Sequence, residues 1–575
     1  NPVLRVAPVP LDSIEAAAKV VAEGGDASDA GMPTISRANY DGMISIAPVA
    51  ANWSMQPDPS PVSNPVKNSI PLPKERPSVG GVVISRPSVN RAIVWFTDDS
   101  IAVMQGKGLT RFGVNLPESL KGTCLIEAYD LGKGGKAVAS MPIAYKSVVI
   151  DASLDGEHVA VKTSKPNDER VDVYNVMTNK HVAGLRPFQQ KDDFFKGITT
   201  GLVLDGQYLL TQNFNSTTYM WKLPECKAVW QLKSAKNLCV SPGGKYLGFL
   251  AESRYLFMDP RTGDLVGELP VTMPNIACAF HPMGTHLAIL SSDTICRKIS
   301  IVDVATGKST SEFFVPQGND TIQWCGDAHV LVDNAWLVDL EKQKNGWRYV
   351  SEFTAHARTQ PDGRHWYVSS AGLQDPNITL SCATLPEKMV ADKIKAAQLP
   401  DESLLKPGMP LGLSVNLTAA MPPDRPNIGQ EVGTWFDAGL RKHGFQVGAG
   451  APYSFTITSS QANTGRNMEF RSIGFGRGGG NTTVPVIEVK CEVALVANGQ
   501  ALWKHTETFT NASFGLVRLG QNEDITSHLA KQMWDQFANR LTKFPVPVQV
   551  FGATAGAGLG TSKFTTGGVQ PLTGM

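Results

Sequence analysis

The sequence predicts a mainly β protein built on a repeated four-stranded unit, and three observations carry that prediction. Residues 237–270, NLCVSPGGKYLGFLAESRYLFMDPRTGDLVGELP, hold the apolar runs LCVS, YLGFLA, YLFMD and LVGELP, separated by SPGGK, a short polar step and PRTGD. That is the pattern of one antiparallel meander. The same grammar recurs before and after it at intervals of about 40 residues, the period of a propeller blade. Gly (54) and Pro (38) are abundant, charged residues make up only 18%, and few segments carry helical periodicity, so turns and strands dominate. The predicted fold is a seven-bladed β-propeller followed by a smaller α+β domain, with extended N- and C-terminal arms.

At 575 residues the chain outgrows a single core, which rarely passes about 250 to 300 residues. More than one domain is expected. Lys plus Arg (53) nearly cancels Asp plus Glu (52), so the long-range field that drives binding to nucleic acid or acidic membranes is missing, and no nucleic-acid partner is expected. No apolar run approaches the roughly 18 residues of a membrane-spanning helix. A start at Asn1 rather than Met leaves room for a signal peptide, lipid anchor or longer N-terminal region. Localisation therefore stays open, with a cell-envelope or extracellular place as the expectation.

Residues 1–78 contain one helical candidate, LDSIEAAAKVVAEGG, with Asp12 or Ser13 as N-cap and Gly24 as stop. The rest of that region is proline-rich and too poor in apolar residues to form a core, so it reads as an extended arm held by another domain or another copy. From residue 79 to 398 the meander repeats. Its first turn reads SLDGEH (153–158), LDGQY (204–208), SPGGKY (241–246), HPMGTH (281–286) and QPDGRH (360–365). Its second reads YNVMTNK (174–180), DPRTGD (259–264) and DVATGK (303–308). Asp or Pro followed by Gly is the chemistry of a tight turn. The anchors place blades at 79–143, 144–190, 196–232, 235–270, 273–315, 319–353 and 355–398. The irregular first blade, and a sixth without a clear glycine turn, leave counts of six and eight open.

These SPDGK-like and DxxTGK-like turns resemble those of bacterial WD-repeat-like β-propellers of the divergent kind that lacks strict Gly-His and Trp-Asp signatures. The resemblance covers a little over half of the chain. Trp221, Tyr174 and Phe257 occupy the strand place where that family often has Trp, while the family's structural Asp is not regularly present. The resemblance implies a fold rather than a functional subclass.

Residues 399–426 turn Pro-rich, with one strand candidate, LGLSVNL, and read as a linker. In 427–445, Ile428, Val432, Trp435, Phe436, Leu440 and Phe445 fall at helical spacing with Gly444 as C-cap. Strands follow at YSFTITSS, VPVIEVKCEVALVANG and QALWKHTETFT, then a helix at 525–544 that begins after Asp524 and stops before Pro545. Strand, helix, three strands and helix make an α+β domain at 427–551. Its HGFQV helix exit and NGQALWKHT hairpin resemble small domains of bacterial envelope proteins, of the Tol-system and curli-secretion types. The tail, 552–575, is rich in Gly, Thr and Ala and reads as flexible or as a docking strand.

No residue pattern marks a catalytic, cofactor or metal site. Cys124, Cys226, Cys239, Cys278, Cys296, Cys325, Cys382 and Cys491 include no CxxC spacing, and buried inert thiols are the favoured reading over a disulfide. The Gly-rich IGFGRGGGNTT (473–483) lies between strands, whereas a phosphate cradle precedes a helix, so it reads as a hairpin loop flanked by Arg471 and Arg477. His281, His286, His356 and His365 fall at blade turns, and Asp98, Asp99, Asp155, Asp205 and Asp362 suit backbone roles in turns. No GxSxG elbow or calcium-loop motif occurs. Asn215, Asn377, Asn416, Asn481 and Asn511 are glycosylation acceptors only in a secretory host. The expectation is a non-enzymatic scaffold without cofactor, binding proteins and forming a homo-oligomer through its terminal arms. The alternative is a propeller hydrolase or lactonase with a metal in the central channel.

Overall fold

The computed structural model describes residues 32–49, 51–59, 69–71, 78–84, 91–97, 124–131, 136–143, 147–163, 169–193, 195–271, 273–351, 354–359, 364–370, 378–399, 403–471, 481–512, 524–552 and 558–572. The helical candidate at 11–25 lies outside them.

Seven sheets succeed one another along the chain, each an antiparallel meander with strands in sequence order. We number them one to seven. Sheet one begins at Ser78–Ile84, sheet two at Ser147–Ala152, sheet three at Ile198–Leu204, sheet four at Lys236–Val240, sheet five at Asn275–Phe280, sheet six at Ile322–Trp324 and sheet seven at Thr354–Thr359. Sheet seven draws only three strands from its own repeat. Its outermost strand is Ser69–Pro71, which pairs antiparallel with Thr379–Ser381. The first strands of sheets seven and one also touch, so the N-terminal side of the chain meets the C-terminal end of the repeats. The series of described sheets thereby returns on itself.

The apolar clusters lie between neighbouring sheets. Ile93, Met141, Val149 and Val161 fill the space between sheets one and two. Leu210, Trp230, Phe249 and Leu256 do so between three and four. A strand in the middle of its sheet therefore buries both faces, which explains runs such as Leu247–Ala251 that are buried at every position, whereas the outermost Lys308–Phe314 is mostly exposed. The predicted turns supply the bends. Gly284 has φ +70°, and a Cβ there would meet the backbone of Asp58 at 2.3 Å, so glycine serves both the turn and the approach of the arm.

The described parts of both arms dock on the sheets of the same chain. Ser36 N donates to Gly184 O of sheet two, and Ile44–Ile46 adds a fifth, parallel strand to sheet three beside Trp230–Leu232. Trp53 Nε1 donates to Val304 O at 2.8 Å, Met55 is fully buried between sheets four and five, and Asp58 accepts from Lys245 N. Beneath the start of the arm, Arg170 Nη2 donates to Pro33 O at 2.7 Å while its Nε bonds Asp172 at 2.8 Å. The C-terminal tail forms a hairpin, Thr561–Thr565 with Gly568–Leu572, that extends sheet six in parallel from Arg348–Val350. Phe564 is buried against Tyr349 and Tyr367.

A helix, α1 (Lys388–Ala396), occupies the end of the 355–398 span expected to form the last blade. It packs Val390 and Ile394 on sheet six, and Lys342 Nζ donates to Ala397 O at 2.7 Å at its C-terminal end, where the helix dipole favours a cation.

The remaining sheet has the order Gln446–Val447, Pro410–Asn416, Tyr453–Arg471, Asn481–Ala497, Gln500–Thr510. The LGLSVNL strand, placed in the linker by composition, is therefore interior to this sheet. Helices α2 (Ile428–Lys442) and α3 (Ile525–Leu541) cover one face, with Ile428, Val432, Phe436, Leu440, Met533 and Phe537 in the core. Asp524 caps α3 by accepting from Ser527 N at 2.9 Å. Among the described residues the other face of this sheet is open, with Lys504, Thr506 and Thr508 exposed on it.

Candidate interaction surface

In a ring of meanders, the turns between second and third strands share one end with the links from each sheet to the next. Two features meet on that end. The first is the seam with the helix-covered sheet. Ile295 and Cys296, in the turn between the second and third strands of sheet five, join the core built by α2 and α3, and Met273 and Phe314 pack against it. Arg540 of α3 donates to Glu507 through Nε (2.8 Å) and Nη2 (2.6 Å) and reaches Thr294 Oγ1 at 2.6 Å. Burial raises the Glu507 carboxyl, but hydrogen bonds from His505 and Arg540 outweigh it and hold the pKa at about 2. A cleft of about 290 Å³ opens beside the seam, lined in part by Phe314, Pro316, Asn345, Ser403, Gln549 and Phe551.

The second feature is a pair of exposed phenylalanines over sheets two and three. Phe214 is 69% exposed and Phe195 46%. The sequence NFNST builds their support: Asn213 is buried, its Oδ1 accepts from Asn215 N and Thr217 N, both at 3.0 Å, and its Nδ2 donates to Phe195 O at 2.9 Å. One carboxamide thus braces both loops. A Cβ on Gly197 would lie 3.1 Å from the Phe214 ring, so the ring leans on bare backbone. Beneath it Lys162 Nζ donates to Ile198 O (2.6 Å) and pairs with Glu169 (3.2 Å), which stiffens the link between the sheets. An apolar ring held out on a rigid turn costs little entropy to bury against a partner.

The residues singled out by sequence take other roles. His281 is 5% exposed, sits 3.0 Å from Asp327 and edge-on to Trp324, and burial lowers its pKa. His286 contacts Thr285 Oγ1 at 3.1 Å, and His365 is fully buried against Tyr367 and Phe564. Asp155 accepts from Glu157 N at 3.0 Å as a turn residue, and Asp205, at φ +55°, pairs with Arg261. Asp98, Asp99, Asp362 and Asn377 lie outside the described residues, as do Arg477 and the side chains of His356, Arg471 and Asn481. Among the described residues no group of three or more His, Cys, Asp or Glu is placed to hold a metal.

Residues 472–480 of the Gly-rich stretch are also outside the described residues, but the strands on either side pair with each other through Arg471 and Asn481, as in a hairpin. Asn511 braces that hairpin, accepting from Ile487 N at 2.9 Å and donating to Pro485 O at 3.0 Å. Asn416 accepts from Thr418 Oγ1 at 2.7 Å. Cys226, Cys239, Cys278, Cys296, Cys325, Cys382 and Cys491 are thiols rather than disulfides. Burial pushes Cys239 up to about 12, and its Sγ lies 3.4 Å from Cys278 O, an arrangement that keeps the thiol protonated and unreactive. Trp221 is fully buried and donates to Thr211 Oγ1 at 2.9 Å. Sequence reasoning missed Phe195 and Phe214. The Asn-rich NFNST turn was the available signal, since Asn there reads as Asx-turn chemistry.

No family model matches the sequence, and no curated protein matches it. Solved structures do. A chain in the crystal structure of the mitotic checkpoint complex is 13% identical, with 60% of this chain and 98% of that one covered and a TM-score of 0.36. The β-propeller domain of Cps50 (Swd1) from Myceliophteria thermophila is 11% identical, with 54% of this chain and 98% of that one covered and a TM-score of 0.36. The chain is mainly β and has propeller structures among its neighbours; its own strand topology carries the description given above.

Proposed function

We propose that this chain is a non-enzymatic protein-binding scaffold, with the seven sheets as the blades of one ring, residues 427–551 with the 410–416 strand as an α+β domain seated on it, and the exposed phenylalanine pair as the contact for a protein partner. The observation that carries the reading is Phe214, 69% exposed at the tip of a turn braced by the buried Asn213. Two exposed aromatics on loops braced by one carboxamide offer a partner apolar area at little entropic cost, and buried aromatics dominate interface energies. Propellers suit the role because their sheets bury each other and leave the loops free to recognise partners. The resemblance of the α+β domain to envelope-protein domains supports a place in a bacterial envelope, which fractionation of the native cells tests directly.

The reading is tested by in-cell crosslinking from a photoreactive residue at Asn215, compared between the wild type and Phe195→Ala/Phe214→Ala. A defined crosslinked partner, lost in the double variant while its melting curve is unchanged, supports the scaffold. No specific crosslink in the wild type rejects this surface as the binding site.

A further inference from the structure

We propose that the Gln500–Thr510 strand pairs antiparallel with the same strand of a second copy of this chain, about a two-fold axis through Thr506. This strand is the last of its sheet, and among the described residues no segment pairs with its outer edge. Two other outer edges are covered by added strands of the chain itself, Ile44–Ile46 on sheet three and Thr561–Thr565 on sheet six. At eleven residues this edge is long and contains no proline. Such an edge is a template for another strand unless charge, proline or a bulge blunts it, and the one register shift on this strand, between Ala501 and Trp503, lies at its start and leaves Trp503–Thr510 regular. Lys504 is its one exposed charge, and that ammonium is already paired with Glu492.

The occupant follows from the chemistry of WKHTETF. About Thr506 the stretch is symmetric in character: Trp503 and Phe509 stand three residues to either side, and His505 and Glu507 one residue to either side. An antiparallel copy in that register sets Trp503 against the partner's Phe509 and His505 against the partner's Glu507. On the open face it sets Thr506 against the partner's Thr506 and Lys504 against the partner's Thr508. Aromatic pairs, an imidazole N–H beside a carboxylate and threonine pairs are favourable cross-strand combinations. Centring the pair on Lys504 opposes two lysines, and centring it on His505 opposes Trp503 to a carboxylate, so the Thr506 register stands out. The pairing joins two five-stranded sheets into one of ten strands, with both open faces on the same side.

The test is the mass of the full chain in solution by sedimentation equilibrium, up to about 100 μM. The expected wild-type mass is twice the 61.8 kDa of one chain. Thr506 is exposed on the open face, so Thr506→Lys and Thr506→Glu leave the fold intact, which circular dichroism and melting curves check. Each variant alone opposes like charges at the axis and weakens association by at least about tenfold. An equal mixture of the two opposes Lys to Glu and restores the dimer. A wild type of single-chain mass at every concentration overturns the proposal. So does a dimer unaffected by either variant, or a mixture of variants that stays monomeric.

Discussion

Truncating Trp53 tests how the N-terminal arm is held. The indole donates to Val304 O at 2.8 Å, a bond with a net contribution of about 1 kcal/mol. Its ring fills a slot cut by two glycines, where a Cβ at Gly267 or Gly307 would come within 2.7 or 2.5 Å of it, and it meets Phe257 edge-on at 5.4 Å. Fully buried Trp→Ala changes cost about 3–5 kcal/mol, and this half-buried ring carries about half of that. Trp53→Ala therefore removes about 3 kcal/mol from local docking, which raises the undocked fraction of residues 51–59 about a hundredfold. Native-state proteolysis with subtilisin reads that fraction, provided redocking is faster than cleavage. Val49→Ala, at a side chain 58% exposed in the same arm, serves as the control and leaves the rate unchanged. A Trp53→Ala cleavage rate within about threefold of the wild type refutes the account of the slot.

Two further outcomes follow from buried charge. Arg297 is 1% exposed, and Asp333 meets its Nη1 at 2.8 Å and Nη2 at 2.5 Å; Asp333→Ala leaves that buried cation the more distant Asp320 carboxylate, 3.7 Å from Nε, and lowers thermal stability by about 3 kcal/mol, and a loss below about 1 kcal/mol counts against the pair. Glu507 is held at about 2, below the ordinary carboxylate value of about 4.3, so its contribution to the seam is complete above that ordinary value and is lost as pH falls from there through about 2. Energy transfer between dyes on the propeller and on α2 follows the loss, and Glu507→Gln flattens the acid transition; a transition of the same shape in both proteins rejects the assignment.

Local chemistry was readable where the signal is short in range. The turns at 241–246 and 281–286 lie between strands as their Pro and Gly demand, with Gly244 and Gly284 at positive φ. Gly444, at φ +84°, ends α2, and Asp524 caps α3. Helix α1 was missed because only Val390 and Ile394 of its nine residues are buried, too little periodicity to separate it from a strand repeat. The interaction surface was missed for a different reason. Nothing in a Phe between two asparagines says which way its ring points; that depends on Asn213 reaching across to Phe195 O, nineteen residues of chain closing on one carboxamide.

By itself the sequence determined the repeated meander, the turns that punctuate it and the change to helical periodicity near residue 427. Those signals lie within a few residues of one another, where backbone sterics and alternation of polarity act. Tertiary structure alone decided where the arms go. The proline-rich stretch around Trp53 has no core of its own, and its place is set by glycines at 267 and 307, more than two hundred residues away, whose missing side chains open the slot it fills. Contacts of that kind depend on the shapes of surfaces formed only after the sheets have packed.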